Sequence, residues 1–136
     1  PLPMRAFAVA LLLAAFAGGC GRDGDRDAVR AVTERFYAAL DAGDGDAACV
    51  RLSTDTRTAL ESQEQQACAE AVGSLEVEGG SLTRIQVYVT NAKADLSSGE
   101  SAFLSHTEDG WRLSAVGCQP VGGKPADQPY DCELEA

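Results

Sequence analysis

The chain has 136 residues, which allows one domain. With 45% hydrophobic and 24% charged residues, its composition is that of a globular chain, not a disordered one. Eleven basic against 21 acidic side chains give a net charge of −10, which argues against nucleic acid as a partner, because binding phosphate needs a basic face.

The opening residues read Pro1-Leu2-Pro3-Met4-Arg5, then an uncharged run from Ala6 to Ala17, then Gly18-Gly19-Cys20. A basic start, a short apolar run and small residues predict a signal peptide over 1–19, with Met4 as its start. The run is too short for a membrane span, which needs about 20 apolar residues. Ala17-Gly18-Gly19-Cys20 resembles the bacterial lipobox, in which small residues precede a cysteine that receives diacylglycerol. The resemblance implies cleavage before Cys20, acylation (palmitate among the chains) and residence on the outer face of the cell membrane. Ala17 stands where that motif usually has leucine, so plain secretion is the alternative. Loss of 1–19 removes one arginine and leaves 10 basic and 21 acidic side chains, a net of −11. The acyl chains, not charge, would then hold the protein at an anionic surface. Residues 20–25, the lipidated cysteine and Gly21-Arg22-Asp23-Gly24-Asp25, read as a polar, flexible tether.

Four further cysteines, Cys49, Cys68, Cys118 and Cys132, predict two disulfides in an exported chain. Three pairings exist, and the two local closures, Cys49–Cys68 and Cys118–Cys132, are favoured. Each would add roughly 3 kcal/mol in the loop-entropy account. A metal site is the weaker reading: there is no C-x-x-C, and His106 is the one histidine. No cofactor is expected.

Val29, Val32, Phe36, Ala39 and Leu40 recur at helical spacing and predict a first helix over 26–42, capped by Asp25 or Asp27 and ended by Gly43. A short helix over 47–52 follows, with Asp46 as cap. Ser53-Thr54-Asp55 signals another helix over 56–62, and 63–72 reads as helical up to Gly73. The period then changes to two. Strands are predicted over 82–89, with Ile85, Val87 and Val89 on one face and Arg84, Gln86 and Tyr88 on the other, then over 92–96, 101–107 and 111–118. Short turns between them make an antiparallel meander. The fold class is therefore α+β: helices packed on a curved, cone-like, four-stranded antiparallel sheet over 26–118, with an irregular tail over 119–136 pinned by Cys118–Cys132.

Glu34-Arg35-Phe36-Tyr37-Ala38-Ala39-Leu40-Asp41-Ala42-Gly43-Asp44 resembles the first helix and turn of the nuclear-transport-factor-two-like, or SnoaL-like, superfamily. Asp109-Gly110-Trp111-Arg112-Leu113 resembles a late strand of the same domains. The whole chain also resembles small, cysteine-stapled lipoproteins of high-GC Gram-positive bacteria. The first resemblance implies a cone with a cavity, and in some members isomerase, dehydratase or cyclase activity. The steroid isomerases place a tyrosine in the first helix as an oxyanion donor and add two aspartates. Aligned on the shared phrase, that tyrosine position is Phe36, which cannot donate; Tyr37 lies about 100° further round the helix.

Other candidates have plainer readings beside the functional one. His106, next to a turn, reads as a solvent-facing residue. Ser105 and His106 point to opposite strand faces and cannot pair. Trp111, Tyr37 and Tyr88 could meet a ligand, but as single aromatics they read first as core or rim. Glu76, Glu78, Glu133 and Glu135 fit no calcium loop. The reading is a non-catalytic, membrane-anchored domain that binds a small apolar ligand in the cone or a protein partner. Tyr37, Tyr88, Arg84 and Trp111 are the contact candidates, with Gln86 and Arg112 beside them on the sheet. The superfamily resemblance extends the partner to a second copy, a homodimer through the sheet. Alternatives are an accessory subunit of an envelope complex and, behind it, a divergent SnoaL-like isomerase or dehydratase.

Overall fold

The computed structural model describes residues 21–122 and 129–136. The signal-peptide reading of 1–19 and the lipidation reading of Cys20 lie outside the described residues. The chain folds as α1 (Gly21–Asp41), α2 (Gly45–Cys49), α3 (Thr54–Glu64), α4 (Cys68–Ala71) and a 3-10 turn (Val72–Ser74). The strands β1 (Leu82–Val87), β2 (Asn91–Leu96), β3 (Ser101–Thr107), β4 (Gly110–Pro120) and β5 (Tyr130–Glu135) follow. They form one antiparallel sheet in the order β1-β2-β3-β4-β5.

The α+β plan is as expected, but the sheet has five strands where four were predicted. The extra strand comes from the tail. Its prolines and glycines masked a six-residue segment, Tyr130–Glu135, that pairs along β4 from Ala115↔Glu135 to Pro120↔Tyr130. Cys118 and Cys132 are direct cross-strand partners in that ladder, so their disulfide staples β5 to β4. The second disulfide, Cys49–Cys68, ties α2 to the start of α4, both sulfurs being buried. Both pairings are the local closures.

Residues 21–25, expected within a flexible tether, lie in helix α1. Helix α1 already includes Gly21, the first described residue. Asp25 does not cap it but sits within it and accepts a hydrogen bond from the indole Nε1 of Trp111 at 3.1 Å. That tertiary contact holds a segment whose glycines are poor helix formers. The other end of α1 follows the sequence signal. Gly43 N–H donates to Leu40 O and Asp44 N–H to Ala39 O, the paired bonds of a Schellman end. Asp44, not Asp46, then caps α2 by accepting from Ala47 N–H, and Ser53 caps α3 by accepting from Thr56 N–H. The helix expected over 63–72 is broken at Gln65, which has a φ of 54°; residues 63 and 64 belong to α3, and beyond the break only Cys68–Ala71 is α-helical.

Helix α1 lies on one face of the sheet against β1, β2 and β4, and α3 lies over β4 and β5. Val29, Val32, Phe36 and Ala39 form its inward stripe at helical spacing, and Tyr37 is buried beside them. They share one core cluster with Ile85, Ala94, Leu104, Leu113 and Leu134 from the five strands. Each large side chain removed from water contributes about 1.5–3 kcal/mol, so this one layer contact carries much of the stability. Two bulges between β3 and β4 bend the sheet around the helix. Gly117 lies at a bulge with a φ of 64°, where a Cβ would stand 2.8 Å from Glu133 Cβ and 2.9 Å from Val77 Cγ1. A side chain there would meet both bad φ and bad contacts. Because β5 is shorter than β4, part of the β4 edge would be bare. Residues Arg51 to Ser53 cover it: Leu113 N–H donates to Arg51 O and Ser53 N–H to Leu113 O.

Candidate functional site

The four contact candidates do not converge. Tyr37 is buried near the C-terminal end of α1, Trp111 is in the core near its N-terminal end, Arg84 is exposed on the sheet face away from the helices, and Tyr88 is 58% exposed in a turn. Two of these placements revise the strand expected over 82–89. Strand β1 stops at Val87, and Tyr88 N–H donates to Asn91 O to close the hairpin. Tyr88 therefore leaves the face shared by Arg84 and Gln86, and Val89, expected to face inward, is 93% exposed. Alternation cannot continue where the chain has already turned.

Trp111 is 3% exposed and its one polar atom is satisfied by Asp25, so it locks α1 to the sheet and is closed to a ligand. His106 is exposed and packs edge-on against the Trp111 ring, with centroids 5.1 Å apart. Phe36 and Tyr37 are both buried and stack edge-on at 5.2 Å.

The polar group with the most unusual surroundings is the Tyr37 hydroxyl. It is buried without a hydrogen-bond partner. Burial, and after it the nearby Glu100 carboxylate, push its pKa far above the usual phenol value, while the Gly117 backbone acts weakly the other way. Glu100 is itself 4% exposed. Its two oxygens accept from Glu78 N–H at 3.0 Å and Gly79 N–H at 3.1 Å, fixing the irregular segment between the last helical turn and β1. Gly79 is required there, because a Cβ would stand 2.7 Å from Cδ1 of Tyr37. The phenolic oxygen is buried, and Glu100 is almost entirely so.

Two clefts border this end. One of about 400 Å³ is lined by Tyr37, Leu40, Val72, Gly79, Ser81 and Ser97. The other, about 310 Å³, is acidic, with Glu76, Glu78, Glu100, Asp131 and Glu133 around it. Glu135 is not among its lining residues. No group of three or more metal-ligating side chains is assembled among the described residues. The middle of the fold is filled by Phe36, Leu60, Leu104, Leu113 and Leu134, all fully buried.

The sheet face away from the helices carries side chains that sequence reasoning left out. The rings of Phe103 and Tyr130 meet edge-on at 5.1 Å, and Lys93 Nζ lies 5.0 Å from the Tyr130 centroid and 3.2 Å from Asp95. Burial opposes the Lys93 charge, but Tyr130 and Asp95 outweigh it and raise its pKa. Ser101 Oγ donates to Asp95 at 2.7 Å. Arg84, Gln86, Ser105 and Arg112 flank this cluster by register. Alternation in β2 and β3 places Lys93 and Phe103 on this face; Tyr130 was hidden with its strand. Comparison of the chain with protein-family models, with curated proteins and with solved structures finds no match.

Proposed function

We propose that this is a lipid-anchored extracytoplasmic domain that binds a protein partner through the sheet face bearing Arg84, Lys93, Phe103 and Tyr130, and that it is not an enzyme. Two disulfides are consistent with an extracellular or envelope-associated protein. No helix among the described residues is long and apolar enough to cross a membrane; the lipobox-like run ending at Cys20 supports attachment by acylation there. One observation carries the choice of a protein over a small apolar ligand. The space between helices and sheet is filled with fully buried side chains, while the opposite sheet face has aromatic, cationic and amide groups with no described element over it. Aromatic residues and arginine are enriched at protein interfaces. A second copy of the chain is one such partner.

Two measurements test this. Cys20→Ser should move the protein out of the membrane fraction; a variant that still sediments with membrane would sink the anchor. A photo-crosslinking residue at Arg84 should give one discrete adduct in the host envelope, and the same residue at Arg30, exposed on α1, should give none. Equal adducts from both positions would dismiss the sheet face as the binding surface.

A further inference from the structure

We infer that the β1–β2 turn, with Tyr88 and Val89 at its tip, is a second membrane contact that dips into the lipid surface next to the acylated Cys20. The inference rests on the lipid-anchor reading above.

Val89 is 93% and Tyr88 58% exposed, and they are adjacent in sequence, so one turn presents two large apolar side chains to the outside. The turn shares a shallow cleft with Asp25 of α1. Helix α1 is described from Gly21, the residue after Cys20, and Asp25 lies about 6 Å along the helix axis from Gly21. The Trp111–Asp25 hydrogen bond fastens that helix end to β4. With helix directly following the anchor, the domain is held close to the bilayer with the Asp25 end leading. Val87 to Asn91 and Thr107 to Gly110 are the chain reversals at this end, since β1 and β3 run towards it and β2 and β4 away from it.

The bilayer is the occupant favoured here because the anchor fixes the distance. A turn held within about 10 Å of the lipid surface leaves little room for a protein between the two, yet lies within the depth that interfacial side chains reach. Tyrosine suits that depth, its ring in the acyl boundary and its hydroxyl among headgroups. The acidic groups at the same end, Asp25, Glu108 and Asp109, stay in water and limit insertion to the tip.

The test uses the full acylated chain in phosphatidylcholine vesicles whose acyl chains carry bromine, a contact quencher of indole. The protein has one tryptophan, Trp111, which is 3% exposed and supplies a constant background. Val89→Trp adds a reporter at the tip, and Val121→Trp adds one beyond the opposite end of β4, at a site 53% exposed. Brominated lipid should remove about half or more of the added Val89→Trp emission, given an interfacial depth of a few ångströms, and leave Val121→Trp and the parent chain unchanged. Unquenched Val89→Trp emission overturns the inference, as does equal quenching at both sites. Intact mass of the same sample separates the two readings. An acylated chain with a silent reporter refutes the turn contact alone, whereas a chain without acyl groups on Cys20 refutes the anchor and the contact with it.

Discussion

The two ends of α1 each hold one aromatic residue with a polar atom, and they treat it differently. At the N-terminal end the Trp111 indole donates to Asp25, a half-buried carboxylate with no other described bond. At the other end the Tyr37 hydroxyl lies near the Glu100 carboxylate without a hydrogen-bond partner, while both Glu100 oxygens accept peptide N–H groups. The contrast teaches an order of priority. A buried and a part-buried backbone donor of a segment without secondary structure together cost more to abandon than one phenolic hydroxyl. One end is thus closed by a side-chain pair across 86 residues of sequence, the other by a carboxylate serving the backbone.

Removing Glu100 should have the largest effect. Glu100→Ala strands the N–H groups of Glu78 and Gly79, at a cost of about 2–4 kcal/mol in chemical denaturation. Glu100→Gln keeps an acceptor and should lose clearly less. If Glu100→Ala is as stable as the parent, the priority argued above is wrong. Next comes the other end. Asp25→Ala or Trp111→Phe should each cost about 1 kcal/mol or more, the tryptophan change more because it also loses packing. Their double variant should fall short of the sum, by the coupling of one shared hydrogen bond. Strict additivity would show that the bond contributes nothing.

Tyr37→Phe should have the smallest effect, from neutral to about 1 kcal/mol more stable, because it deletes a buried hydroxyl that has no partner. Its pH dependence has a definite sign. A folded pKa raised above the unfolded value means stability is complete below about pH 10 and declines above it, as the unfolded chain ionises first. Of the three tyrosines, Tyr37 should stay silent in an alkaline absorbance titration until the protein unfolds, and Tyr37→Phe should soften the alkaline loss by one proton. A Tyr37 that ionises in the folded protein would place it in water.

Much of this was legible in the sequence where local signals suffice. The stripe from Val29 to Leu40, the Gly43 stop, the Ser53 cap, the hairpin at residues 97–100 and the two local cysteine closures need only neighbours in the chain. What was hidden depends on distant groups. Helix before residue 26 is held by Trp111, and Asp25 carries no mark of that partner. Strand β5 reads as irregular because prolines and glycines precede it, and only its ladder with β4 makes Tyr130–Glu135 a strand. Glu100 sits in a plain hairpin phrase, and nothing near it in sequence announces that its carboxylate holds residues 78 and 79. The sheet face proposed for contact is half legible. Arg84 and Gln86 follow from alternation, whereas Tyr88 leaves the face because β1 ends at Val87, two residues before the alternating pattern does.

The two disulfides each join consecutive cysteines, 19 and 14 residues apart, and neither links the helical layer to the sheet. A chain crossing a membrane from its N-terminus presents these thiols in the order in which they pair. Cys49 meets Cys68 before Cys118 has emerged, and with the Cys20 thiol blocked by the proposed acylation, an oxidant that joins each free thiol to the next one exposed yields the native set. Such a protein can mature under simple vectorial oxidation, without an enzyme to reshuffle crossed bridges.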